Sequence, residues 1–162
     1  MTTLFHGSTQ IVNHPLILPS SHTLDYGAGF YTTTSEEQAE RWVRRKLTAD
    51  APIGYINCYE TDIEQLRADL DVLWFERPDE AWLDFVMANR TDRRFVHTHD
   101  VVFGPVANDR VYTAFALYES GVLDKPELIR ELRTYKLIDQ LLFHTDRALR
   151  YLRFTDAKEI CL

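Results

Sequence analysis

Leu4-Phe5-His6-Gly7-Ser8 places an imidazole, a residue without a side chain and a hydroxyl at the end of an apolar run. A histidine at a strand end can hydrogen-bond a ligand hydroxyl. The glycine beside it lets a flat ligand approach the backbone, where the Gly7 amide and carbonyl can grip a carboxamide. A second block, Tyr26-Gly27-Ala28-Gly29-Phe30-Tyr31-Thr32-Thr33, puts Tyr31 just after a glycine turn. An aromatic ring there can stack on a planar base. The same residues also admit a plain structural reading. His6 then pairs with a backbone group, the glycines make turns, and Tyr31 lies in the core.

Other residues carry weaker signals. In Asp100 to Arg110, Gly104-Pro105 forces a turn, and Asn108, Asp109 and Arg110 offer donors and a carboxylate. Arg110 either contacts a phosphate or ties the loop down against Asp109. Asn89 and Arg90 are placed to cap or brace that loop. His97 and His99 with Asp100 suggest a metal cluster, but no third ligand set has matching spacing, so no metal is expected. Ser8 near His6 is too close along one strand for a nucleophile–base pair, and no GxSxG elbow is present. Arg41, Arg44, Arg45 and Lys46 read as a solvated helix face, or as a patch that meets a pyrophosphate or an acidic partner.

The H-G-S block followed by G-x-G-F-Y-T resembles the ADP-ribosyltransferase superfamily, most closely its His-Tyr-Glu branch of poly(ADP-ribose) polymerases and diphtheria toxin. The full set LFHGS, GAGFYTTT, DVVFGPVAND and DQLLFHTDRALRYLRF is also similar to a family of small, uncharacterised bacterial domains placed near that superfamily. The resemblance implies an NAD-dependent mono-ADP-ribosyltransferase that releases nicotinamide and modifies a protein or nucleic-acid acceptor. It implies that His6 binds the adenosine ribose and that Gly7 and Ser8 hold the carboxamide. Gly29 and Tyr31 would form the second wall of the nicotinamide pocket, with Arg110 available for phosphate.

Gln140 stands where the branch carries its glutamate. A neutral amide can hold a ribose hydroxyl, but it brings no full charge to an oxocarbenium-like transition state. His144, four residues on and on the same strand face, is placed to reach the pocket or the acceptor. The catalytic set implied is therefore His6, Tyr31 and Gln140. By analogy with small bacterial toxins, an antitoxin or regulatory protein is an expected partner. A non-catalytic binder of NAD or ADP-ribose, and a pure interaction module, are the alternatives.

The elements that must position these residues are legible in outline. Strands are expected at 2–6, 30–33, 53–60, 72–75, 101–103 and 138–144, with Tyr151-Leu152-Arg153-Phe154 following the last helix. Helices are expected from Ser35 as N-cap to about Thr48, and over 62–70, 78–90, 110–120, 126–135 and 145–149. Ala39, Trp42 and Val43 are expected to form the buried stripe of the first helix. Strands and helices mix without regular βαβ alternation, which indicates α+β. The resemblance refines this to two antiparallel sheets forming a split NAD-binding core, flanked by helices, in one domain over 1–162.

The 162 residues carry 45% hydrophobic and 27% charged side chains, values of a globular chain. The net charge of −7 argues against non-specific nucleic-acid or membrane-surface binding. No run reaches the roughly 18 apolar residues of a membrane span. MTTLFHGSTQ lacks a signal-like pattern, and Cys58 and Cys161 have no CxxC partner, so a reducing cytoplasmic location is expected. The charge is uneven. The first 40 residues contain no Lys or Arg, whereas 125–162 carry 8 Lys/Arg against 6 Asp/Glu. An anionic dinucleotide would draw its countercharge from Arg41, Arg44, Arg45, Arg110 or the C-terminal segment.

Overall fold

β1 (Thr2–Ser8) is paired along its whole length with β3 (Ile53–Thr61), antiparallel, from Thr2↔Thr61 to Ser8↔Tyr55. β7 (Arg153–Cys161) covers the outer edge of β3. On the other side of β1 lie β2 (Phe30–Thr33), β6 (Asp139–Phe143), β5 (Val101–Pro105) and β4 (Val72–Trp74). The order is β4-β5-β6-β2-β1-β3-β7. These relations come from a computed structural model, which describes residues 1–19, 24–105 and 109–162, the side chain of Asp109 excepted.

The fold is α+β, as expected, but the two antiparallel sheets are not. The strands form a single seven-stranded sheet, and it is mixed. One residue pair, Phe5↔Thr33, registers β1 with β2 and makes the two halves continuous. β4 runs parallel to β5 because the chain between them crosses over through α3 (Glu80–Thr91).

The sheet is buried on both faces, and β6 shows why its sequence is apolar without alternation. Leu142 packs with Tyr26, Val102 and residues of α3, α4 (Asp109–Glu119) and α5 (Lys125–Leu132). Leu141 and Phe143 turn the other way, to Leu4, Phe30, Tyr59 and Val101 beneath α2 (Ile63–Asp69) and α6 (Asp146–Leu149).

α1 (Glu36–Lys46) starts where Ser35 accepts from the Gln38 amide. It rests Ala39 and Val43 on Ile56 and Cys58. Trp42 is not in that stripe: it is 50% exposed, with the Lys46 ammonium 4.9 Å from its ring. The buried row follows i, i+4 spacing through Ala39, Val43 and Leu47, and Trp42 falls on its flank. Gly7 is what lets α1 lie so close. A Cβ on Gly7 would stand 2.5 Å from the Ala39 carbonyl oxygen and 2.9 Å from a Val43 methyl. The space beside Gly7 on that face is therefore taken by the helix. Gly7→Ala should cost about 1–3 kcal/mol through forced displacement of α1. Urea unfolding measures this, and a midpoint equal to that of the parent would refute it.

β7 is nine residues long and reaches Cys161, a strand that the sequence reading does not place. It is an edge strand with one side open to water. Its polar residues, Thr155, Asp156, Lys158 and Glu159, mask the strand pattern.

Candidate functional site: a histidine-bridged split between β1 and β2

Past Phe5↔Thr33 no further register pair joins β1 to β2 among the described residues. His6 takes over there. Its Nδ1 lies 2.7 Å from the Tyr31 carbonyl oxygen. A carbonyl only accepts, so Nδ1 carries the proton and the neutral ring keeps its lone pair on Nε2. Burial lowers the His6 pKa and outweighs the opposing effect of the Tyr31 bond. The ring rests on Phe30, centroid to centroid 4.3 Å.

The turn before β2 is held by three side chains in succession. His97 Nε2 lies 3.0 Å from the Tyr26 carbonyl, the Tyr31 hydroxyl donates to the Gly27 carbonyl at 2.7 Å, and His144 Nδ1 lies 2.7 Å from the Ala28 carbonyl. Gly27 makes the turn possible, with φ at +83° and Asn89 Oδ1 3.1 Å from where a Cβ would stand. Gly29 is there for contact: a Cβ would meet His144 Nδ1 at 2.8 Å. Burial lowers the His144 pKa to about 4, against the Ala28 bond, with His97 and His99 adding to the fall. Burial likewise lowers the pKa of His97. The two rings meet edge to face, 4.3 Å between centroids. Both are neutral donors at neutral pH.

Tyr26 is fully buried, and its hydroxyl is a junction. It donates to the Pro105 carbonyl at 2.7 Å and receives the Trp82 indole N–H, with the Gln140 side chain beside it. It passes over Gly104, where a Cβ would stand 2.5 Å from the hydroxyl. Gln140 lies opposite both Thr33 and Gly104 in the sheet and is 8% exposed. Asp25, one residue before Tyr26, pairs with Arg90 at 3.3 Å and also meets the Tyr112 hydroxyl. Arg90 thus braces the turn before β2.

The expected site residues come together only in part. Tyr31 and Gln140 flank Tyr26 on the face that α3–α5 cover. His6 meets Tyr31 through the backbone, while its ring packs with Phe30 on the opposite face. Gly29 and His144 adjoin each other. Ser8 accepts from the Gln10 amide at 3.2 Å. Arg110 is exposed and stacks on the Tyr135 ring, 4.2 Å from its centroid. Asn108 and the Asp109 side chain lie outside the described residues. Arg41 and Arg44 pair with Glu37 and Glu40 along their own helix. His99 Nδ1 meets Asp71 at 3.1 Å.

Tyr26 is the neighbour that sequence reasoning gives no role of its own, and its position directly before the left-handed Gly27 was the available signal. His97 and Asp100 stand out in the sequence only as parts of a metal motif, and the structure gives both a different place. Asp100 is buried and accepts from the Asp71 amide, the Thr145 hydroxyl and Arg147. Burial pushes its pKa up, but the bonds from Arg147, Thr145 and the Asp71 amide together hold it below the usual 3.8. A carboxyl depressed in the folded state stabilises the fold above its unfolded pKa. That contribution is lost as the pH falls through the folded value. Urea midpoints from pH 7 to pH 2.5 should therefore fall more steeply for the parent than for Asp100→Asn below about pH 4. Parallel acid limbs would refute this.

The site thus belongs to an α+β domain whose central strands diverge around a histidine. The sequence model of a family described as "Protein of unknown function (DUF3990)" matches residues 2–154, and the chain belongs to that family. No curated protein and no solved structure matches it. No helix among the described residues is long and apolar enough to cross a membrane.

Proposed function

We propose that this domain is an NAD-dependent mono-ADP-ribosyltransferase on an ADP-ribosyltransferase-like fold. The observation that carries this reading is the split between β1 and β2. The HGS and GAGFYTT blocks lie on adjacent strands that share one residue pair and then part, with His6 spanning the gap. A flat nicotinamide needs such an opening between two backbone walls.

In this reading the His6 Nε2 lone pair accepts from the adenosine ribose, and Gly7 with Ser8 holds the carboxamide. Tyr31 stacks on the nicotinamide, Gly29 lets the turn close over it, and Gln140 holds the nicotinamide ribose. Arg110 and His144 stand as outer contacts to phosphate and acceptor. The glycosidic C–N bond breaks with its electron pair leaving on nicotinamide. The acceptor nucleophile then bonds the ribose carbon and gives its proton to solvent. Positioning, rather than a strong base, supplies the rate. A cytoplasmic bacterial toxin held by an antitoxin or regulatory partner is the setting, by analogy alone.

The neutral amide of Gln140, in place of a carboxylate, favours one second reading: a module that binds NAD or ADP-ribose without chemistry. Incubation with labelled NAD and lysate separates the two. Transfer of label with nicotinamide release is expected. Calorimetric NAD binding with neither would leave only the binder. Tyr31→Ala should weaken NAD binding by roughly tenfold or more, given about 1–3 kcal/mol for stacking of a base on an aromatic ring. Unchanged affinity would remove Tyr31 from the pocket.

A further inference from the structure

Far from the split, a cavity of about 520 Å³ opens at the start of β1, the end of β3 and the corner between α6 and β7. Its volume lies in the range of small-molecule sites. Five residue steps along the chain separate Met1 at its wall from His6, roughly 17 Å of strand.

Two features of the wall lack an internal explanation. The first is Thr61, 1% exposed, whose hydroxyl has no hydrogen-bond partner among the described residues. A buried hydroxyl left unpaired is costly, because it gives up its bonds to water without replacement. The second is the gathering of Arg147, Arg150 and Arg153 on one cavity in a chain of net charge −7. Arg147 pairs with Asp100 and Arg153 with Glu60, which aims both guanidinium groups while leaving N–H donors over. No carboxylate pairs with Arg150 among the described residues. Guanidinium forks and a hydroxyl suit the oxygens of a phosphate.

The same wall carries Glu60 and Asp62. They repel a polyphosphate but accept hydrogen bonds from neutral hydroxyls. Asp62 caps α2 through Oδ1, which receives the Glu64 and Gln65 amides, so Oδ2 is left to a ligand.

We propose that this cavity binds a sugar phosphate monoester. Arg150, Arg153 and Thr61 take the phosphate, and Glu60 and Asp62 take the sugar hydroxyls. The site stands whether or not the domain transfers ADP-ribose.

Calorimetry with ribose 5-phosphate, AMP, inorganic phosphate and ribose tests it without any use of NAD. Ribose 5-phosphate or AMP should bind, the tighter of the two naming a free sugar or a nucleotide as the source. Ribose should not bind, and inorganic phosphate should bind at least fivefold more weakly. Arg150→Ala should weaken binding at least tenfold. Thr61→Val should weaken it severalfold without lowering the urea midpoint, because valine fills the same space with no unpaired hydroxyl. Absence of binding by both esters, equal affinity for inorganic phosphate, or unchanged affinity in both variants would each overturn the proposal.

Discussion

Tyr26→Phe should lower the unfolding free energy by about 3–5 kcal/mol, since it strands more than one buried polar group at once. The aromatic ring and its packing remain, so the cavity term is small. What disappears is the hydroxyl that receives the Trp82 indole N–H and donates to the Pro105 carbonyl. Trp82 is fully buried and Pro105 is buried, so water does not replace the lost partner. Urea unfolding followed by tryptophan fluorescence measures the change. A loss below about 1 kcal/mol would mean that the junction is not load-sharing in the way its hydrogen bonds imply.

Gln140→Glu should raise NAD hydrolysis roughly tenfold or more, because a carboxylate offers full negative charge to the oxocarbenium-like ribose where an amide offers only a dipole. The position is buried, and burial raises a carboxyl pKa. The gain should therefore grow with pH as the carboxyl ionises, whereas the parent shows no such step from this residue. Release of labelled nicotinamide across pH 5 to 9 tests both points. An unchanged or lower rate at every pH would count against placing Gln140 on the ribose. Combining this change with Tyr26→Phe should raise the rate further if the Tyr26 hydroxyl restrains the side chain at position 140.

Local chemistry explains which elements were legible beforehand. Ser35 and Thr145 mark their helix starts because an N-cap is a short-range hydrogen bond, to Gln38 and Ala148 respectively. Pro126 marks the first turn of α5 for a similar reason, beside the Asp124–Glu127 capping box. The α+β class follows from the same local signals. Pairing between distant segments is another matter. Nothing in Thr32-Thr33 says that a single residue will join β2 to β1, and the parallel β4–β5 pair depends on a crossover through α3. His97 reads as half of a metal motif, and only the folded chain brings its ring to the Tyr26 carbonyl and the edge of His144. Gln140 was singled out by the resemblance, as the residue standing where the branch carries its glutamate. Its neighbour Tyr26 sits in an irregular stretch whose contacts are all non-local.

The strand order carries a consequence for how the chain is made. β1 and β7 lie on either side of β3, so the half of the sheet that holds His6 is assembled from the two ends of the sequence. The other half, β2 with β4 to β6, is complete once residue 143 has been synthesised. During translation that second half can settle first, while β3 waits with an open edge until residues 153–161 emerge. The single pair Phe5↔Thr33 then joins two folding units of different age, and amide hydrogen exchange should divide the protein along that seam.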